Sequence, residues 1–158
     1  MVTDSGNYQV SALSMSGHDE WLITGDTTIY ITGEFRMQGQ SQITILPGAS
    51  LKVFVAGSVN LAGNGVQNLN LDASKYNLYG LPSCTDISIS GNASFTGSIY
   101  APNADLALNG SGNNIYDIVG AVVANNANFH GNFQFHYDER LGRNGGKSQY
   151  RVAYWTEI

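Results

Sequence analysis

Near the C-terminal end, His130, His136 and Asp138 offer two imidazoles and a carboxylate, the side-chain types that hold transition metals. His136 and Asp138 are two residues apart, so on a strand they share a face. No thiolate lies beside them, and the set reads as a polar cap rather than a metal centre. Asp86 and Asp105 are the second chemical candidate. They open the matching runs "DISISG" and "DLALNG", so stacking of those runs would set the two carboxylates one above the other. Such a pair can share a proton and act as general acid and base. The plainer reading is two acids flanking a surface corner. Cys84 is the single cysteine, which excludes an internal disulfide. No base stands near it to make a nucleophile. A Gly-x-Ser-x-Gly elbow, a phosphate-binding glycine fingerprint and the acidic nonapeptides of calcium-binding rolls are all missing. The chain is therefore read as non-enzymatic, without catalytic residues, cofactor or metal.

A repeat must position these groups. "GSIYAPNADLALNG" from Gly97 and "GAVVANNANFHGN" from Gly120 say nearly the same thing 23 residues apart. The doublet belongs to a longer series. Apolar triplets begin at Ile29, Val53, Leu78, Ile99 and Val122, with steps of 24, 25, 21 and 23 residues. Each leads into an alternating run ending in Gly: "EFRMQG", "SVNLAG", "DISISG", "DLALNG" and the shorter "NFHG". Phe35/Met37, Val59/Leu61, Ile87/Ile89 and Leu106/Leu108 occupy one face of these runs. Arg36, Asn60, Ser88, Ala107 and His130 occupy the other. Period two means strands with one buried and one wet face. Third runs follow as "QITIL", "NLNL", "ASFTG", "NIYDIV" and "FQFHYD".

Three short strands per unit cannot enclose a core alone, so successive units must stack. The spacing predicts an all-β fold: a parallel, right-handed β-solenoid of about five coils, three short strands per coil, with a C-terminal cap. One domain is expected over 1–158, its coils over 28–132 and its cap and returning segment over 133–158. Gly39, Gly63, Gly91, Gly110 and Gly131 are expected at corners that need positive φ. Asn92, Asn103, Asn125 and Asn126 are read as corner braces. Phe133, Phe135 and Tyr137 are expected to alternate inward, with His136, Asp138, Glu139 and Arg140 charging the rim. Tyr30, Phe54, Tyr79, Tyr100 and Val123 form an outward stripe one residue wide. Something must cover so apolar a stripe. The returning segment with Val152, Tyr154 and Trp155, or another chain, is expected to do so.

Composition agrees. Charged residues are only 12% and Gly numbers 19 of 158, which suits many tight turns and not disorder. A net charge of −5 argues against a nucleic-acid partner. Arg140, Arg143, Lys147 and Arg151 gather near the end, read as a solvated tail. No apolar run reaches the ~18 residues needed to span a bilayer.

"ISISGNASFTGSIYAPNADLALNG", "GAVVANNANFHGN", "FHYDERL" and "YRVAYWTEI" together resemble the C-terminal domain of bacterial pilus-assembly-type envelope proteins, which carry a pilin-like hydrophobic helix at their N-terminus. The resemblance covers the chain from about Thr28 to Ile158. It implies an extracytoplasmic bacterial domain with a β-solenoid fold, at the cell surface or secreted, and it supplies no catalytic residues. The pilin-like helix is missing here, so membrane attachment would come only through a segment preceding Met1.

The leading expectation is a structural or adhesive module that meets a protein partner or a second copy through its stacked faces. A glycan- or ice-binding solenoid is the alternative, since aromatic ladders stack on sugar rings. The Thr residues do not recur at the coil spacing that an ice-binding array needs. A small polysaccharide-active enzyme built on Asp86 and Asp105 ranks last.

Overall fold

Apolar and polar residues alternate over runs of three to six, and Gly, Asn and Pro break the runs, so the chain can form only short straight segments. The computed structural model describes residues 1–91, 95–110, 116–131 and 133–144. Its elements, in chain order, are β1 (Val2–Thr3), β2 (Gly6–Val10), β3 (Leu13–Met15), β4 (Glu20–Ile23), β5 (Asp26–Ile31), β6 (Phe35–Met37), β7 (Gln42–Ile45), β8 (Ser50–Val55), β9 (Val59–Leu61), β10 (Gly65–Asn68), β11 (Tyr76–Gly80), β12 (Asp86–Gly91), β13 (Phe95–Gly110), β14 (Tyr116–His130), β15 (Phe133–Tyr137) and α1 (Glu139–Asn144). A 3₁₀ turn, Ala73–Lys75, precedes β11.

The strands stack as a β-solenoid of about five turns, and every ladder among the described residues is parallel. The first wall runs through β2, β5, β8, β11, the first parts of β13 and β14, and β15. The second runs through β3, β6, β9, β12 and the later parts of β13 and β14. The third contains β1, β4, β7 and β10.

The triplet series is the spine of the first wall. Ile29, Val53, Leu78, Ile99 and Val122 face one another rung by rung. The first four are 0–3% exposed. On the second wall Phe35, Val59, Ile87 and Leu106 stack likewise, as do Met37, Leu61, Ile89 and Leu108. Ile43 and Ile45 of the third wall close the core from the remaining side. Burying each such side chain contributes roughly 1.5–3 kcal/mol.

Three expectations need correcting. The stack starts at Val2, not at residue 28: β1, β2 and β3 already pair with β4, β5 and β6. Gln9 interrupts Tyr8-Gln9-Val10, the counterpart of the apolar triplet at Ile29, which hid them. Of the third runs only "QITIL" forms a third-wall strand, over its first four residues. "NLNL" overlaps β10 at Asn68 alone, and the described parts of "ASFTG", "NIYDIV" and "FQFHYD" are first-wall strand. The third wall therefore ends at β10 among the described residues. Lastly, the doublet does not keep one offset. Ala101 faces Ala124, 23 residues on, but Asp105 faces Asn126, 21 on. Pro102, Asn103 and Ala104 turn one corner where Asn125 alone turns the next.

Corners follow the glycine expectation in part. Gly39, Gly63 and Gly131 have φ of 67°, 78° and 113°. A Cβ on Gly63 would collide with the carbonyl oxygen of Gly39 below it, so the corner demands Gly for both space and backbone. Gly91 and Gly110 instead face each other as strand partners.

The end of the third wall is sealed by amides. Asn68, 6% exposed, donates from Nδ2 to the carbonyls of Asp72 (2.8 Å) and Thr96 (3.1 Å). Asn70 Nδ2 donates to Leu46 and Ala49 O, both at 3.1 Å. Buried amides so satisfied hold a corner without orphaned donors.

Candidate functional site

The outward face of the first wall carries the expected stripe. Tyr30 faces Phe54, Phe54 faces Tyr79, Tyr79 faces Tyr100 and Tyr100 faces Val123. The inward positions on either side force these residues out, because period two leaves them no other face. The Phe54 and Tyr79 rings stack with centroids 4.7 Å apart and planes 12° from parallel. Tyr30, Tyr100 and Val123 are 39%, 52% and 47% exposed. Two residues back along the strands runs a polar stripe of Thr28, Lys52, Asn77 and Ser98. Within it Ser98 donates from Oγ to Asn77 Oδ1 at 2.7 Å. The wall thus offers an apolar strip beside a hydrogen-bonding strip.

The outward face of the second wall holds a shallow groove of about 260 Å³, bordered by Glu34, Asn60, Asp86, Ser88, Asp105 and Asn128. Asn128, not His130, occupies the rung above Ala107, a consequence of the shifted offset. Asp86 and Asp105 do face each other. Hydrogen bonds from the Asn126 and Asn125 amides, at 2.8 and 3.0 Å, hold the Asp105 carboxyl below the usual range. Asp86 accepts from Thr85 Oγ1 at 2.7 Å. Asn125 and Asn126 thus serve as the corner braces expected of them. Asn103 adds a longer contact to Pro82 O, at 3.4 Å.

The three cap residues are not brought together. His130 ends the second-wall part of β14 and faces Asn109, while His136 sits on β15 opposite Val119. Both are exposed. Asp138 departs from the expected rim position, being 6% exposed. Its Oδ1 accepts from Arg140 N (3.0 Å) and Nε (3.1 Å), and its Oδ2 from Ala73 N (3.4 Å). Burial alone would raise its pKa, yet these hydrogen bonds and the guanidinium hold it below the ordinary value. Arg140 also donates from Nη2 to Leu71 O at 3.0 Å, so it is part of a clasp and not of a solvated tail. Among the described residues no cluster of three or more His, Cys, Asp or Glu is placed to hold a metal.

Phe135 and Tyr137 lie on the inward register yet are 44% and 58% exposed, because no further described rung covers them. Cys84 is fully buried, and burial pushes its thiol up, away from nucleophilic use. The hydroxyl of Tyr76 is buried without a partner, and its pKa is driven up by desolvation. Nothing in the pattern of "KYNLYG" marks Tyr76 apart from an ordinary core aromatic. The stripe-covering segment with Val152, Tyr154 and Trp155, like Lys147 and Arg151, lies outside the described residues, as does Asn92.

Among the described residues no helix is long and apolar enough to cross a membrane. The family model for a domain of unknown function, DUF7305, matches residues 1–144. No curated protein matches the chain, and no solved structure does.

Proposed function

The chain belongs to the DUF7305 family of domains of unknown function, and on that premise we propose that it is a non-catalytic structural or adhesive module. It would act at a bacterial cell surface or in a pilus-associated assembly, meeting a protein partner or another copy of itself through its aromatic ladder. The observation that carries the reading is the unbroken register of Tyr30, Phe54, Tyr79, Tyr100 and Val123 along an exposed wall. Aromatic side chains give large contact area at low entropic cost, and they are enriched where proteins meet. The envelope setting rests separately, on the resemblance of "YAPNA" and "HYD" to pilus-assembly-type domains.

The glycan alternative is weaker on geometry. Sugar rings stack on aromatic faces, and Phe54 and Tyr79 spend facing sides on each other. The ice-binding alternative lacks its array. Thr28 faces Asn7 and Lys52, Thr44 faces Leu22 and Gln67, and Thr96 faces Val119.

Sedimentation of the protein beside its Tyr30→Lys/Tyr100→Lys variant tests the self-association form: concentration-dependent assembly that the variant loses. A photo-crosslinker at position 100, used in intact native cells, tests the partner form. Monomeric behaviour at every concentration together with no protein adduct would sink the proposal.

A further inference from the structure

The upper edge of β14 is half covered. β15 pairs with it only from Tyr116 to Gly120, and the last bond is Asp138 N to Gly120 O at 3.1 Å. From Ala121 to His130 the edge has no strand partner among the described residues. The side chains tell the same story. Leu106 and Leu108 are 1% and 2% exposed, whereas Phe129, one rung above Leu108, is 47% exposed. Phe129 meets Phe135 edge-on, with centroids 6.4 Å apart, and nothing described lies over either ring. A parallel edge of ten residues that bends once at Asn125 and carries half-bare aromatics is a template for another strand.

We propose that this edge is the docking site of the chain's own C-terminal residues 149–158, laid parallel to β14 as a closing rung. Three observations select that occupant. As a strand, "QYRVAYWTEI" would put Tyr150, Val152 and Tyr154 on one face and Arg151, Ala153, Trp155 and Glu157 on the other, so up to the Asn125 corner Tyr150 and Val152 can lie over the inward Val122 and Ala124 with Arg151 outward. The segment's ten residues equal the open length from 121 to 130. The reach also fits. The chain turns away at Asp138, beside the start of the open edge, and α1 carries it off by about 9 Å for six residues. "GGKS" at 145–148 can return about 13 Å. A tethered segment also outcompetes a free strand through its effective concentration. The aromatic ladder is the poorer destination, because it offers side chains but no unpaired backbone.

Hydrogen exchange of the full chain tests this. The expected result is that edge-directed amides between 121 and 130 exchange at least about tenfold slower than unstructured ones. The full-length Val152→Pro/Tyr154→Pro variant should lose that protection, since Pro removes donors from a ladder. Amides of Ile99–Ala101 should be unchanged in both, showing that the solenoid persists. An unprotected edge in the unmodified chain, or protection that survives the prolines, overturns the proposal. Protection that vanishes on dilution overturns it too, in favour of a second copy.

Discussion

Phe54 and Tyr79, one rung apart on the first wall, hold their rings 12° from parallel with centroids 4.7 Å apart. Their backbones are already fixed by the ladder, so the stack costs little further ordering. A double-mutant cycle on Phe54→Ala and Tyr79→Ala, read by chemical denaturation, should give a coupling of about 0.5–1.5 kcal/mol. A coupling near zero would mean that the rings merely sit side by side.

Acid should loosen the clasp. Asp138, Asp105 and Asp72 all have carboxyl pKa values below the ordinary range: Asp138 through the Arg140 and Ala73 bonds that overcome its burial, Asp105 through Asn126 and Asn125, Asp72 through Ser74. A depressed folded-state pKa contributes stability above the unfolded value, lost as pH falls through the folded one. Melting temperature should hold near neutrality and drop below about pH 4. Asp138→Asn should melt lower than the parent at pH 7 and show a shallower acid limb, measured by circular dichroism.

Core and wall positions should respond differently. Leu78 is 0% exposed between Val53 and Ile99, and Leu78→Ala should cost about 2–5 kcal/mol. Ser88 points outward on the second wall, and Ser88→Ala should stay within about 0.5 kcal/mol of the parent. Urea titrations of both variants check the contrast.

Gly63→Ala should be costlier than its size suggests. The position has φ of 78°, and its new methyl would meet the Gly39 carbonyl. The backbone term alone is about 1–2 kcal/mol. Gly48→Ala provides the control, because φ is 88° there but nothing lies within 4 Å of the added carbon. The difference between the two variants isolates the collision.

The wall columns were legible because burial forces period two, and Ile29, Val53, Leu78, Ile99 and Val122 recur at coil spacing. The ladder of Tyr30 to Val123 came with them. Offsets within a corner were not legible. Pro102–Ala104 and Asn125 both make turns, and residue types do not reveal that one spends three residues and the other one. That misplacement put His130 where Asn128 stands. The first coil was missed because Gln9 interrupts Tyr8-Gln9-Val10, the counterpart of the apolar triplet Ile29-Tyr30-Ile31. Asp138 was misread as a rim charge because Ala73, which binds its carboxyl, lies 65 residues away along the chain, and Leu71, which Arg140 reaches, lies 69 from that arginine. No local pattern announces so distant a pairing.

The clasp also bears on how such a protein can change length over evolutionary time. Asp138 and Arg140 reach Ala73 and Leu71 across bonds of 3.0–3.4 Å, while one inserted coil would add about 4.8 Å of height. Duplication of a unit above Leu71 would therefore pull the fastening apart, whereas duplication below it would leave every span intact. The lower half is free to grow, and the upper half is gauged to one size.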